Sequence, residues 1–554
     1  ALTIGTLDGA TVEIRDEVFE YQKTAEGCES WINDFIKGTS YDLEETATGC
    51  RLTVHVEVVP HHGPVIPGTK GKDVNGKDSA MTWKWTGFKP SDEMKTVYGY
   101  MKMRTPDDFL AAARHFGVGA QNWVYADVNG NIAYAAFNRV PVREHLATAP
   151  VDFPPLLPFP GTGCCEWDGE VPLDDMPHTV NPARGYVFTA NGDALGYTLD
   201  GDPLNDKSYQ GYGFAIGYRA ARVQELFEQI LAAEDGFTVA SVQAIQADTL
   251  SPLGRRLTPF ILEAYALAQQ SAAGEAGVDP AYGALVSDEM TAAVERLKAW
   301  SFMAASGFGD DGLPSSDAAI RADSVATSIF NVWLVHVSAA VLENKGVAPY
   351  DLGMQAKFLG NLFHATADLA TWDEASQDSL LWDDVSTESV VEDRTVIILS
   401  ALAEALEFLA NGDRVGPAEA GGFGLADMDE WLWGKLHAIS LKSPLGGEAN
   451  IPAESAFPAG YPRGGDNFCL DAAHPGLSDT RFTFTSGAAI RNVFECTADG
   501  VVAQTVIPGG EDASFGTAHY KDLFDLWKTN QTHALSTTVP DIKAKAEACL
   551  RLVP

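Results

Sequence analysis

Three polar stretches of this chain hold residue types that do amide and oxyanion chemistry. The first, Pro60-His61-His62-Gly63-Pro64-Val65-Ile66, follows the alternating run Leu52 to Val59 and so sets two imidazoles at the end of an expected strand. Gly63 and Pro64 equally make it a plain turn in which a histidine caps that strand. The second, Gln121 to Tyr134, carries Asp127 and Asn129-Gly130-Asn131 at an expected hairpin turn, and the structural role is sufficient for them. The third, Asn181 to Gly192, runs through the short apolar segment Tyr186 to Ala190 into Asn191. An amide at a strand terminus is placed to donate a hydrogen bond to an oxyanion, whereas Asn-Gly alone is only a turn dipeptide.

Signatures of other chemistries are missing. The chain has no Gly-x-Ser-x-Gly elbow, phosphate-binding loop, dinucleotide fingerprint after a strand, or His-Glu-x-x-His. Its seven cysteines, at 28, 50, 164, 165, 469, 496 and 549, show no Cys-x-x-Cys or His/Cys ligand spacing, which argues against zinc and iron–sulfur sites. Cys28 and Cys50 flank an acidic loop, and Cys469 and Cys496 lie in a strand-rich region; both pairs are expected as loop-closing disulfides, with seven buried thiols as the alternative. Neighbouring Cα atoms stand only about 3.8 Å apart, below the usual disulfide range, so Cys164 and Cys165 are expected not to bond each other. One of them is expected to meet Cys549 or a cysteine on a companion chain. Disulfides and an acidic surface suit a periplasmic or secreted protein.

With 76 Asp+Glu against 38 Lys+Arg the formal net charge is −38. No basic stripe exists to meet a phosphate backbone or an anionic bilayer, so neither nucleic acid nor membrane is an expected partner. The longest apolar run, Val325 to Leu342, is interrupted by Ser328, Asn331, His336 and Ser338 and reads as a buried helix. The opening residues, Ala1 to Gly9, lack both a basic and an apolar targeting region, which fits a mature product cut from something longer.

The elements that must position the three stretches change character along the chain. Residues 1–215 read as sheet-rich, with one helix from Pro106 to Phe116 and a long Pro/Gly-rich passage from about 150. Residues 216–415 take a helical period, as in Val223, Leu226, Phe227, Ile230 and Leu231, and residues 416–554 return to strands and short helices. Sheet, helical insertion and sheet together point to an α+β core.

In this order the three stretches resemble the β-subunit of the penicillin amidase family. The resemblance extends through Leu157-Pro158-Phe159-Pro160-Gly161-Thr162-Gly163, Glu166-Trp167-Asp168-Gly169, Ala221-Arg222-Val223 and Trp433-Gly434-Lys435-Leu436-His437, then Ser486 to Val493, Pro508-Gly509-Gly510 and Ala518-His519-Tyr520. It implies an αββα N-terminal-nucleophile hydrolase sandwich with a helical insertion. In such enzymes an N-terminal Ser, freed by autocatalytic cleavage, attacks an amide carbonyl while its own α-amino group acts as base. By this resemblance Asn191 is the oxyanion-hole asparagine, and Arg222 holds that asparagine and the nucleophile's amino terminus; a plain helix-surface ion pair is the other reading of Arg222. Calcium is the implied cofactor, with Asp202 and the Pro155 carbonyl as ligands, and an acidic Asp-Gly-Asp turn without metal is the competing reading. The implied substrate is a small N-acyl compound such as a penicillin, an acyl-homoserine lactone or an acylated peptide. The chain departs from the family in beginning with Ala1, so the nucleophile is expected on a segment outside it. Companion chains from the same precursor, the α-subunit and the missing start of the β-subunit, are then the expected partners; a catalytically inactive descendant acting in binding is the rival.

Overall fold

The computed structural model describes residues 12–548 apart from 26, 33, 73–77, 149–154, 156, 162, 201, 212, 234–235, 343–351, 365–370, 375–377, 386, 388–390, 413–420, 477–480, 485 and 547. The chain divides into two compact units, Ala1–Tyr212 and Gly213–Pro554.

In the first unit an antiparallel sheet is formed by β1 (Glu13–Tyr21), β2 (Ser40–Thr46) and β3 (Gly49–Val59), with the alternating β3 in the middle. Register places Phe19 opposite Leu52, Glu17 opposite Val54 and Tyr41 opposite Val54, so one face gathers Leu52, Val54 and Val56 against Ile32, Ile36 and Leu43. The other face is a charge ladder, in which Asp16 and Asp42 hold the two ring nitrogens of His55, and Glu20 binds Arg51. The disulfide Cys28–Cys50 ties the segment before β2 to the start of β3, as its flanking positions predicted.

β3 ends in a tight turn through Pro60 to His62, after which Gly63 and Pro64 pair back onto Val59 and Val58. Gly63 has φ +87°, and a Cβ there would stand 2.3 Å from the Trp83 carbonyl oxygen, so only glycine closes this turn. Downstream come α1 (Glu93–Lys102) and α2 (Pro106–Ala113); a reciprocal Thr105–Asp108 capping box and Pro106 in its first turn start α2. Phe109 and Ala113 of α2 pack on the sheet formed by β4 (Trp123–Ala126), β5 (Ile132–Ala135) and β6 (His178–Val180). The hairpin expected from Asn129-Gly130-Asn131 forms around Asp127, whose carboxylate accepts the Asn129 and Asn131 N–H groups at 2.8 and 3.0 Å.

The second unit is built on α3 (Tyr218–Ala232), α4 (Pro252–Ala272), α5 (Asp288–Ala299), α6 (Ala318–Leu342) and α7 (Arg394–Ala410). α6 is long and apolar enough to cross a membrane by composition, yet it is the buried centre of this bundle. Two of its interrupting polar residues are satisfied there: Ser328 donates to the Trp431 carbonyl at 2.9 Å and Asn331 to that of Thr327 at 3.1 Å. The C-terminal sheet of β7 (Arg491–Thr497), β8 (Gly500–Val506) and β9 (His533–Leu535) adjoins a smaller core of Ile439, Ile451, Tyr461, Val506, Phe524 and Trp527.

Two expectations are corrected. Residues 186–190 form no strand, so Asn191 does not sit at a strand terminus; Arg184 instead covers the stacked rings of Tyr186 and Phe188, which hold the segment by side-chain contact. Cys469 and Cys496 do not bond either. Cys469 is fully buried in a loop, where its thiol donates to the Asp471 carbonyl at 3.0 Å. Cys164 and Cys165 are not bonded to each other, and Cys549 lies outside the described residues.

Candidate functional site

The turn after β3 meets a residue from the Pro/Gly-rich passage. His62 Nε2 is hydrogen-bonded to Glu166 Oε1, and Lys84 Nζ donates to Glu166 Oε2 at 2.5 Å. Burial pushes the Glu166 carboxyl up, but the hydrogen bonds from Lys84 and His62 more than offset it and keep the group below the usual carboxylate range. Lys84 also lies over the Trp167 ring, 5.0 Å from its centroid. Glu166 and Lys84 were not singled out from the sequence as chemical groups; Glu166 figured there only within a stretch of resemblance. The 104 positions separating His62 from Glu166 hide the pair from any local pattern. Nearby, burial pushes the Cys165 thiol up to about 12, with Cys164 adding to the effect, so it is no ready nucleophile.

Asn191 is exposed and takes a left-handed conformation, φ +61°, which asparagine tolerates better than most residues. The loop behind it is organised by carboxylates. Asp193 accepts the backbone N–H groups of Leu195, Gly196 and Thr198 at 3.0, 2.9 and 2.7 Å, which fixes the backbone directly after Asn191 without a sheet.

Farther on, Asp200 accepts from the Asp202 N–H and from Asn205, and Asp202 Oδ1 accepts from the Leu204 N–H at 2.9 Å. Burial and the negative charges of Asp200, Asp193 and Asp202 push the Asp206 carboxyl up, which marks an acidic excess in this loop. Asp202 is exposed and Pro155 is half-buried in a turn. Among the described residues, the imidazole and carboxylate groups that converge within 4.8 Å are those of His61, His62 and Glu166, and Asp202 belongs to no such group.

Arg222 lies in the second unit, in the first turns of α3, and is buried. Its Nε and Nη2 donate to the two oxygens of Asp248 at 3.2 and 2.7 Å, and its Nη1 stands 3.0 Å from Glu225. The hydrogen bonds to Asp248 outweigh burial and hold the guanidinium firmly protonated. Also in this unit, His437 is wholly buried between the rings of Trp433 and Phe484, its Nδ1 donating to the Arg463 carbonyl at 2.8 Å.

A family profile described as Penicillin amidase matches residues 36–544. Over 197 residues the chain is 32% identical to the penicillin acylase 2 proenzyme of Pseudomonas sp. (strain SE83), covering 35% of this chain and 22% of that protein. It is 22% identical to the acyl-homoserine lactone acylase QuiP of Pseudomonas fluorescens over 423 residues, 74% of this chain and 43% of that one. The chain thus spans less than half the length of these curated relatives. Among solved structures, the thermostable penicillin G acylase from Alcaligenes faecalis superposes with a TM-score of 0.53 at 18% identity, covering 98% of this chain and 87% of that one, and shows the α+β N-terminal-nucleophile hydrolase fold.

Proposed function

The chain belongs to the penicillin amidase family, and from that membership we propose that it is the larger part of an acylase β-subunit that hydrolyses the amide bond of an N-acyl substrate. The observation that carries this reading is the family match over residues 36–544, which includes the Asn191 loop and the Arg222 helix. In this reading the N-terminal Ser nucleophile and its α-amino base come from a segment outside these 554 residues, released from the same precursor, as the proenzyme relative suggests. Asn191 presents its amide to the oxyanion formed when that Ser attacks the carbonyl; its exposure and the Asp193-braced loop support the role. Arg222, gripped by Asp248 and Glu225, acts as a positioning residue.

One calcium ion, a structural cofactor in this reading, is held by the Asp202 carboxylate and the Pro155 carbonyl and completed by groups from outside the chain. An oxygen-only donor set in a loop with excess negative charge suits a hard cation. The acyl group is proposed to enter an apolar pocket, with penicillins and acyl-homoserine lactones as the substrate classes the relatives' names suggest. Such an enzyme would work in the periplasm or outside the cell, where the Cys28–Cys50 bond persists.

The test is co-production of this chain with the rest of its precursor, followed by assay against N-acyl substrates from acetyl to bulky apolar chains. Amine release with preference for bulky chains supports the proposal. An assembled protein that cleaves none of them overturns it in favour of a non-catalytic descendant.

A further inference from the structure

The cluster at the end of β3 holds more than an ion pair. Besides His62 and Glu166 it includes His61, and one ligand atom from each of the three lies within 4.8 Å of the others. We propose that His61, His62 and Glu166 form a binding site for a divalent transition metal ion of the Zn²⁺ type, independent of the acylase reading and distinct in chemistry from an oxygen-ligated calcium.

The donor set decides the class of ion. Two imidazoles and one carboxylate are borderline ligands that suit Zn²⁺, Co²⁺ or Ni²⁺, whereas Ca²⁺ takes oxygen alone. Tetrahedral bonds of about 2.0–2.1 Å place ligand atoms about 3.4 Å apart, so modest side-chain adjustment closes the observed spread. The components are held unequally. The turn through Pro60 to His62 is clamped by Gly63, and Glu166 is anchored through its other oxygen by Lys84, the kind of outer hydrogen bond that orients a metal-bound carboxylate. His61 is exposed, its ring centroid 4.2 Å from that of His62, and is able to swing onto an ion without disturbing the core. On binding, the metal takes the place of the hydrogen between His62 Nε2 and Glu166 Oε1, and that proton passes to the other ring nitrogen or to solvent. His61 and Lys84, with Trp85, Phe88 and Trp167, line a cavity of about 910 Å³, so a fourth position on the metal is reached by water or a small ligand.

The experiment uses the full chain without a polyhistidine tag, stripped with a chelator and titrated with Zn²⁺ alone by calorimetry, then with Co²⁺ by visible absorption. One saturable equivalent is expected, with tetrahedral Co²⁺ bands and no displacement by excess Ca²⁺. His61→Ala and Glu166→Gln should each weaken binding by about tenfold or more, while His55→Ala, on the charged face of the sheet, should not. Because His61 is exposed, its variant tests the site without endangering the fold. No saturable binding tighter than roughly 100 μM, or binding that His61→Ala leaves unchanged, overturns the proposal and leaves Lys84–Glu166–His62 as a structural ion pair.

Discussion

Arg222 grips Asp248 in a two-pronged hydrogen bond, with each side chain only about a tenth exposed. Such a pair adds modest net stability when intact, and removing Asp248 leaves the buried guanidinium with Glu225 as its carboxylate partner. Asp248→Ala is therefore expected to destabilise the second unit by about 1.5–3 kcal/mol, the loss of a hydrogen bond to a charged group, seen as a lowered midpoint in chemical denaturation. Arg222→Lys, which keeps the charge and loses the fork, should fall between that variant and the parent. A midpoint unmoved by Asp248→Ala would show the pair to be incidental.

Asn191 is exposed and its loop is braced by Asp193, so Asn191→Ala should cost only about 1 kcal/mol, the penalty of placing alanine in the left-handed conformation. In the assembled enzyme the same change is expected to lower kcat by about 10²–10³-fold, the loss seen when one oxyanion donor is removed. Unchanged turnover in a folded variant would remove Asn191 from the site.

The proposed calcium is checked by thermal unfolding of the assembled protein. EGTA should lower the midpoint, added Ca²⁺ should restore it, and Asp202→Ala should abolish the response. A midpoint indifferent to Ca²⁺ in the parent protein would refute the ligand assignment.

Burial lowers the pKa of His437 to about 4, against about 6.5 for an exposed histidine. Between these values the unfolded chain binds the proton and the folded chain does not, so stability falls as pH drops from 6.5 towards 4, by roughly 3 kcal/mol in all. His437→Phe, which keeps a flat ring between Trp433 and Phe484, removes this pH dependence. The stability difference between parent and variant should therefore shrink over that interval. A difference independent of pH would mean His437 is already charged in the fold.

Reducing Cys28–Cys50 reopens a loop of sequence separation 22. The double variant Cys28→Ser/Cys50→Ser should lose about 3 kcal/mol from the first unit, and alkylation of the denatured, unreduced protein should leave both cysteines unlabelled. Labelling of both would argue against an oxidising compartment.

Elements defined by local period and turn chemistry were legible in the amino-acid order: the alternation in β3, the Asn-Gly hairpin, the helix beginning at Pro106 and the apolar stripe of α3. Cys28–Cys50 was also legible, since flanking one loop nearly ensures proximity. The Asp248 partner of Arg222 was not, because it sits 26 positions away on another segment. Nor was the failure of Cys469 to reach Cys496, since burial in a loop's hydrogen bonds is a property of packing. His61 and His62 were visible as a polar turn, but their meeting with Glu166 and Lys84 depends on how the Pro/Gly-rich passage folds back within the first unit. Local patterns report the backbone's own preferences, whereas the groups that do chemistry are paired by contacts between segments far apart in the chain, which only the tertiary structure decides.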